Sequence, residues 1–217
     1  MEKKDGTRPL ASASISSHGT TGSPSSNTND NKVSETKATI GRRLHIGGLS
    51  RHARPGWEIM SATRAAGVDH VGDSLDLKRF ENDTFEEVYA SHVLEHFDHK
   101  QVPEALKEWR RVLKPGGRLC ISVPNLTVLC KLFLCPDFDG KDLWKIQQMM
   151  FGAQDDKWDY HKIGFNAETL RSKLMEAGFE RSKIDIFTSP FHPQVFEDTS
   201  SCKRYGFFIS LNSISTK

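Results

Sequence analysis

Phe85-Glu86-Glu87-Val88-Tyr89-Ala90-Ser91-His92-Val93-Leu94-Glu95-His96, with Glu108-Trp109-Arg110-Arg111-Val112-Leu113-Lys114-Pro115-Gly116-Gly117 a short way on, decides the fold. Glu87–Ser91 reads as a short buried strand. Val102, Leu106, Trp109 and Leu113 then recur at helical spacing. Lys114-Pro115-Gly116-Gly117 stops that helix, because proline cannot continue it and glycine allows the chain to reverse. Arg118–Val123 follows as a central strand ended by Pro124. Strand, helix, strand in this order is the unit from which parallel sheets are built.

The same alternation extends in both directions. Upstream, Leu44-His45-Ile46 reads as a strand ending in the Gly47-Gly48 turn, with further short strands at Trp57–Met60 and Val68–Val71. Downstream, Leu126–Leu134, Asp139–Phe151 and Ala167–Ala177 carry helical stripes, the last capped by Asn166 before it and Gly178 after it. Ile184–Phe187 and Gly206–Leu211 are read as closing strands, antiparallel because no crossover helix separates them. The expected fold is a Rossmann-like, doubly wound, mostly parallel α/β sheet with a terminal antiparallel hairpin and helices on both faces.

Residues 41–217 are thus one domain. Residues 1–40 are rich in Ser, Thr, Gly and Asn, and Ile15 is the sole large aliphatic residue between Ser12 and Asn31. Such a segment buries too little apolar surface to offset its ordering entropy, so a disordered tail is expected.

Composition excludes several classes. The chain has 217 residues, 30 basic and 28 acidic, for a net charge of +2. Nothing in that balance indicates a nucleic-acid partner. No run of about 18 apolar residues is present, so no membrane span is expected. Four cysteines without paired metal spacing read as reduced thiols, and a cytoplasmic location is expected.

In open α/β sheets, ligands bind outside the carboxyl ends of the strands. Four such ends here carry suitable chemistry. Gly47-Gly48 reads equally as a structural turn or a ligand loop. Asp73-Ser74-Leu75 offers a carboxylate for an adenine amino group and an apolar side chain for the ring, or else a helix N-cap. Ser91-His92 follows the fourth strand and Pro124-Asn125 the fifth.

Taken together, the segments quoted, with Val68–Asp73 and Ala177-Gly178-Phe179, resemble the small, truncated branch of class I S-adenosylmethionine-dependent methyltransferases. The resemblance spans residues 42–190. It implies S-adenosylmethionine as cofactor, lined by Gly47, Gly48, Ser61, Asp73, Ser74, Leu75, Ser91 and His92. Two positions depart from the family pattern. Leu49 stands where the first loop would have its last glycine, and is expected to crowd the methionine end. Ser61 stands where a carboxylate would hold both ribose hydroxyls, and a serine replaces only part of that acceptor. A non-catalytic methyltransferase-like scaffold that binds a partner or nucleotide is therefore the alternative reading.

His92 and His96 are candidates for a general base, although methyl transfer can proceed by positioning alone. His92–His96 also matches the His-x-x-Glu-His zinc pattern. Zinc there would need a helix aiming both histidines inward and a distant third ligand. A strand runs straight into this run and the methyltransferase series accounts for it, so no metal is expected. Asp155–Lys162 lies where the family builds its acceptor wall, and Tyr160 and His161 read as facing the acceptor or as surface loop. The methyl acceptor itself is expected to be a small molecule or glycan-type group.

Overall fold

The computed structural model describes residues 41–217. The tail expected at residues 1–40 lies outside the described residues. A seven-stranded sheet has the order β3-β2-β1-β4-β5-β9-β6. It is built from β1 (Arg43–Ile46), β2 (Trp57–Ser61), β3 (His70–Val71), β4 (Phe85–Ser91), β5 (Leu113–Pro124), β6 (Ile184–Phe187) and β9 (Ser210–Thr216). The first five are parallel neighbours, while β9 runs antiparallel between β5 and β6. The two-residue strands β7 (Lys203–Arg204) and β8 (Phe207–Phe208) pair separately as a small hairpin.

That hairpin corrects the expected strand at 206–211. Gly206–Phe208 turns outside the sheet, and the sheet strand begins only at Ser210. Its apolar content is low: Ser210, Asn212, Ser213 and Ser215 are all buried. A strand paired on both sides needs no hydrophobic run when neighbouring backbone satisfies its ladder, which is why composition understated it.

Four α-helices complete the domain: α1 (Gln101–Val112), α2 (Leu126–Phe133), α3 (Gly140–Phe151) and α4 (Ala167–Glu176). Asn166 caps α4 by accepting from Thr169 N–H while the Thr169 hydroxyl engages the Asn166 backbone. Lys114–Gly117 does not leave the sheet. It forms an irregularity inside β5, between the Phe85–Leu113 and Glu87–Arg118 pairs.

The double winding is uneven. On one face Val88, Ala90, Leu119 and Ile121 pack against Val102, Leu106 and Trp109 of α1 and Leu170 and Leu174 of α4. On the other, Tyr89 and Cys120 meet Phe191 and Phe196, from an irregular segment rather than an α-helix. α2 and α3 form a third cluster through Leu129, Leu132 and Ile146, closed by Ile209. The crossovers in the first half are also short. Between β1 and β2 there is only a 3-10 turn at Ser50–His52, and no helix lies between β2 and β3. Among the described residues no helix is long and apolar enough to cross a membrane, and all four cysteines are free.

Candidate functional site

A cavity of about 380 Å³ opens at the carboxyl ends of β1–β4, within the roughly 300–1,000 Å³ typical of small-molecule sites. Ile46, Met60, Val93 and Phe97 supply apolar wall, while Ser61, Asp73 and His92 supply polar groups. Each is delivered by a local rule. The chain leaves β1 at Gly47, whose φ is +76° and whose N–H donates to Met60 O at 2.8 Å. A side chain at 47 would adopt a disfavoured backbone and strike Val93, so glycine is required there.

At the end of β4 the chain turns at His92, φ +54°, a left-handed conformation unusual outside glycine. The His92 N–H holds to Ser122 O at 2.8 Å. The following 3-10 turn, Leu94–His96, buries Leu94 in the core and Glu95 beside it. His92 Nε2 lies 3.0 Å from Ser210 Oγ and its Nδ1 lies 3.2 Å from Glu95 Oε1. Both ring nitrogens are therefore engaged, leaving no ring nitrogen free to take a proton from an acceptor. His96 Nδ1 lies 3.2 Å from the carbonyl of Tyr160.

Of the sequence-derived lining residues, Gly47, Ser61, Asp73, Ser74 and His92 converge on the cavity. Three do not. Gly48 is buried under the loop, where a Cβ would meet the His45 ring. Leu75 is half-buried against the main core. Ser91, as the last residue of β4, shares Tyr89's face of the sheet by strand alternation. Asp73 caps no helix; its Oδ1 accepts from Leu75 N–H at 2.9 Å in a local turn.

Leu49 also differs from expectation. It is 41% exposed, does not line the cavity, and its N–H donates to His52 Nδ1 at 3.1 Å. Nor does it take a positive φ, so its Cβ costs no strain there. It therefore does not crowd the cavity.

The loop after α3 contributes Asp156 and Trp158 to the cavity wall, rather than Tyr160, which is 46% exposed. Gly152, φ +83°, ends α3 with no room for a side chain against the Asp159 carbonyl. Lys162 and Ile163 N–H groups donate to Glu95 O at 2.8 and 3.3 Å, fastening the loop to the β4 turn. This carries His161 to within 3.9 Å of the Glu95 carboxylate. Sequence reasoning missed this pairing, and also Met60, Ala62, Thr63 and Gly72 at the ends of β2 and β3. The only signal for the latter was their position just after strands.

A mostly parallel sheet in this order, with one antiparallel strand between β5 and β6 and a cavity at its parallel carboxyl ends, defines the class I S-adenosylmethionine-dependent methyltransferase fold. Residues 57–121 match the methyltransferase-domain family, so the central segment of the chain carries that family's sequence pattern within this fold. A Thermotoga maritima protein described as a possible histamine N-methyltransferase superposes with a TM-score of 0.53 at 20% identity, over 82% of both chains. A methyltransferase from Archaeoglobus fulgidus gives 0.52 at 18% identity, over 82% of this chain and 86% of that one. A chain from the Haloferax volcanii complex of the Trm112 methyltransferase activator with a methyltransferase gives 0.50 at 14%, over 82% of both. The comparison with curated proteins returned no match.

Proposed function

We propose that the chain binds S-adenosylmethionine in the cavity at the ends of β1–β4 and transfers its methyl group to a small-molecule or glycan-type acceptor. The observation that carries the reading is the convergence of Gly47, Ser61, Asp73, Ser74 and His92 on one cavity, within a domain whose central segment matches the methyltransferase family.

The cavity's chemistry fits the cofactor. The apolar slot of Ile46, Met60, Val93 and Phe97 suits a purine and a sulfonium flanked by carbon. Asp73, with one oxygen held by Leu75 N–H, turns a carboxylate toward ligand donors. Ser61 offers one hydroxyl for the ribose. The cofactor supplies an electrophilic methyl group. The chain's residues bind it, hold it against the β1 and β4 turns, and present the acceptor from the Asp156–Trp158 wall. Because His92 has both nitrogens engaged, positioning rather than proton removal by His92 is its assigned contribution. The non-catalytic alternative rested partly on Leu49 crowding the loop, and Leu49 lies outside the cavity.

Titration calorimetry of the full chain with S-adenosylmethionine and its demethylated product tests the reading. Asp73→Ala removes an acceptor worth about 1–3 kcal/mol and is expected to weaken binding roughly tenfold or more, with the ligand-free melting temperature unchanged. No binding by the wild type at millimolar ligand sinks the proposal.

A further inference from the structure

Glu95 is among the most deeply buried charged side chains among the described residues, 1% exposed, and apart from the ion-pair contact with His92 neither carboxylate oxygen has a hydrogen-bond partner. Three imidazoles face it. His92 Nδ1 is 3.2 Å and His161 Nε2 3.9 Å from Oε1, and the His96 ring packs edge-on against His161 with centroids 4.9 Å apart. One ligand atom from each of Glu95, His96 and His161 falls within 4.8 Å of the others. A buried carboxylate with one imidazole contact and a second oxygen unpartnered is costly unless a cation compensates it.

We propose that Glu95, His96 and His161 form a binding site for a divalent first-row transition ion, zinc above all, in the inner wall of the cavity. Two imidazoles and one carboxylate are a donor set used by zinc sites that keep an open fourth position. The surroundings prepare each ligand. A carbonyl can only accept, so the His96 Nδ1 contact with Tyr160 O places the proton on Nδ1 and leaves the Nε2 lone pair free. His161 Nδ1 is buried without a partner, while its Nε2 faces the Glu95 carboxylate. The Lys162 and Ile163 N–H groups hold the main-chain carbonyl of Glu95, and the His92 ring meets its carboxylate.

Ligand atoms about 2.1 Å from a tetrahedral ion stand about 3.4 Å apart. The 3.9 Å between Glu95 and His161 therefore needs to close by about half an ångström, and the widest pair, within 4.8 Å, by up to about 1.4 Å. Of the three ligands, His96 also lines the cavity. The site does not depend on the methyl-transfer reading.

The full chain, stripped with chelator, is titrated with Co²⁺ as a spectroscopic stand-in and then with Zn²⁺. The expected result is a visible ligand-field spectrum saturating at one equivalent, bleached by zinc, with zinc raising the melting temperature. His161→Ala and Glu95→Gln are expected to lose at least about a hundredfold in affinity, while His99→Ala, an exposed histidine near the turn, keeps it. Should Glu95→Gln fail to fold, His161→Ala decides alone, its fold checked by circular dichroism. A wild type without a saturable one-equivalent spectrum, or one matched by His161→Ala, overturns the site in favour of a closed carboxylate–imidazole network.

Discussion

Along β1, Leu44 and Ile46 point to one face of the sheet and His45 to the other, and they meet different kinds of cover. The first face is sealed by α1 and α4 with aliphatic side chains. The second is sealed by aromatic rings from the segment after β6. There His45 stacks with His52 (5.0 Å between centroids) and Phe196 (4.3 Å), and Tyr89 donates to Asp198 at 2.8 Å. Glu87 is buried on this side too, but Arg118 at 2.8 Å neutralises it. A regular helix presents an apolar stripe at a fixed period, so its core contains little that titrates. An irregular cover satisfies its own backbone locally and admits polar and ionisable groups beneath it.

If the helical face is the tighter layer, Trp109→Ala should cost most. Trp109 is fully buried and its Nε1–H donates to Ser74 O at 2.9 Å. The expected loss is about 3–5 kcal/mol in denaturant unfolding. Phe196→Ala, its counterpart on the other face, is expected near the lower end of the same range, because irregular cover can collapse into the gap. Equal losses would erase the distinction.

The next effect is on pH dependence. Burial, helped by His52 and Arg54 and opposed by Asp198, lowers His45 to about 3 from an ordinary 6.5. The folded state therefore holds fewer protons than the unfolded chain between those values. Its stability contribution is complete above pH 6.5 and is lost as pH falls toward 3, at roughly 1.4 kcal/mol per unit. His45→Gln is expected to flatten the fall in melting temperature across that window relative to wild type. Parallel curves would mean that His45 does not carry the acid sensitivity of this face.

The smallest effect separates the cavity from the turn behind it. Leu49 belongs with His52 and the second face, whereas Ser61 lines the cavity. Leu49→Gly is expected to leave cofactor affinity unchanged and cost about 0.5–1 kcal/mol of stability. Ser61→Asp is expected to tighten binding several-fold by adding a charged acceptor. A gain of affinity from Leu49→Gly would return Leu49 to the site.

This contrast also explains what the sequence made legible. The strands at Leu44–Ile46 and Val88–Ala90 and the helix from Val102 announce themselves because apolar side chains repeat at the period of the element. The cavity's glycine, carboxylate and imidazole were legible because each stands just past a strand. Phe191 and Phe196 were not, since nothing local tells a ring in an irregular segment which strand it covers. His161 was read as facing an acceptor or as surface loop; its approach to Glu95 is set by two backbone hydrogen bonds, which side-chain pattern does not encode. Leu49 was read as part of the cofactor loop; instead its N–H turns to His52 in the 3-10 turn that follows, a contact the glycine pattern does not encode.

The outermost strands have a further bearing on how the molecule meets others. β3, at one margin of the sheet, is two residues long, and β6, at the other, is four. Each leaves few unpaired backbone donors and acceptors toward solvent, so neither margin is a good template for recruiting a strand from another chain. Association with another macromolecule would then proceed through side chains and loops rather than by extending the sheet.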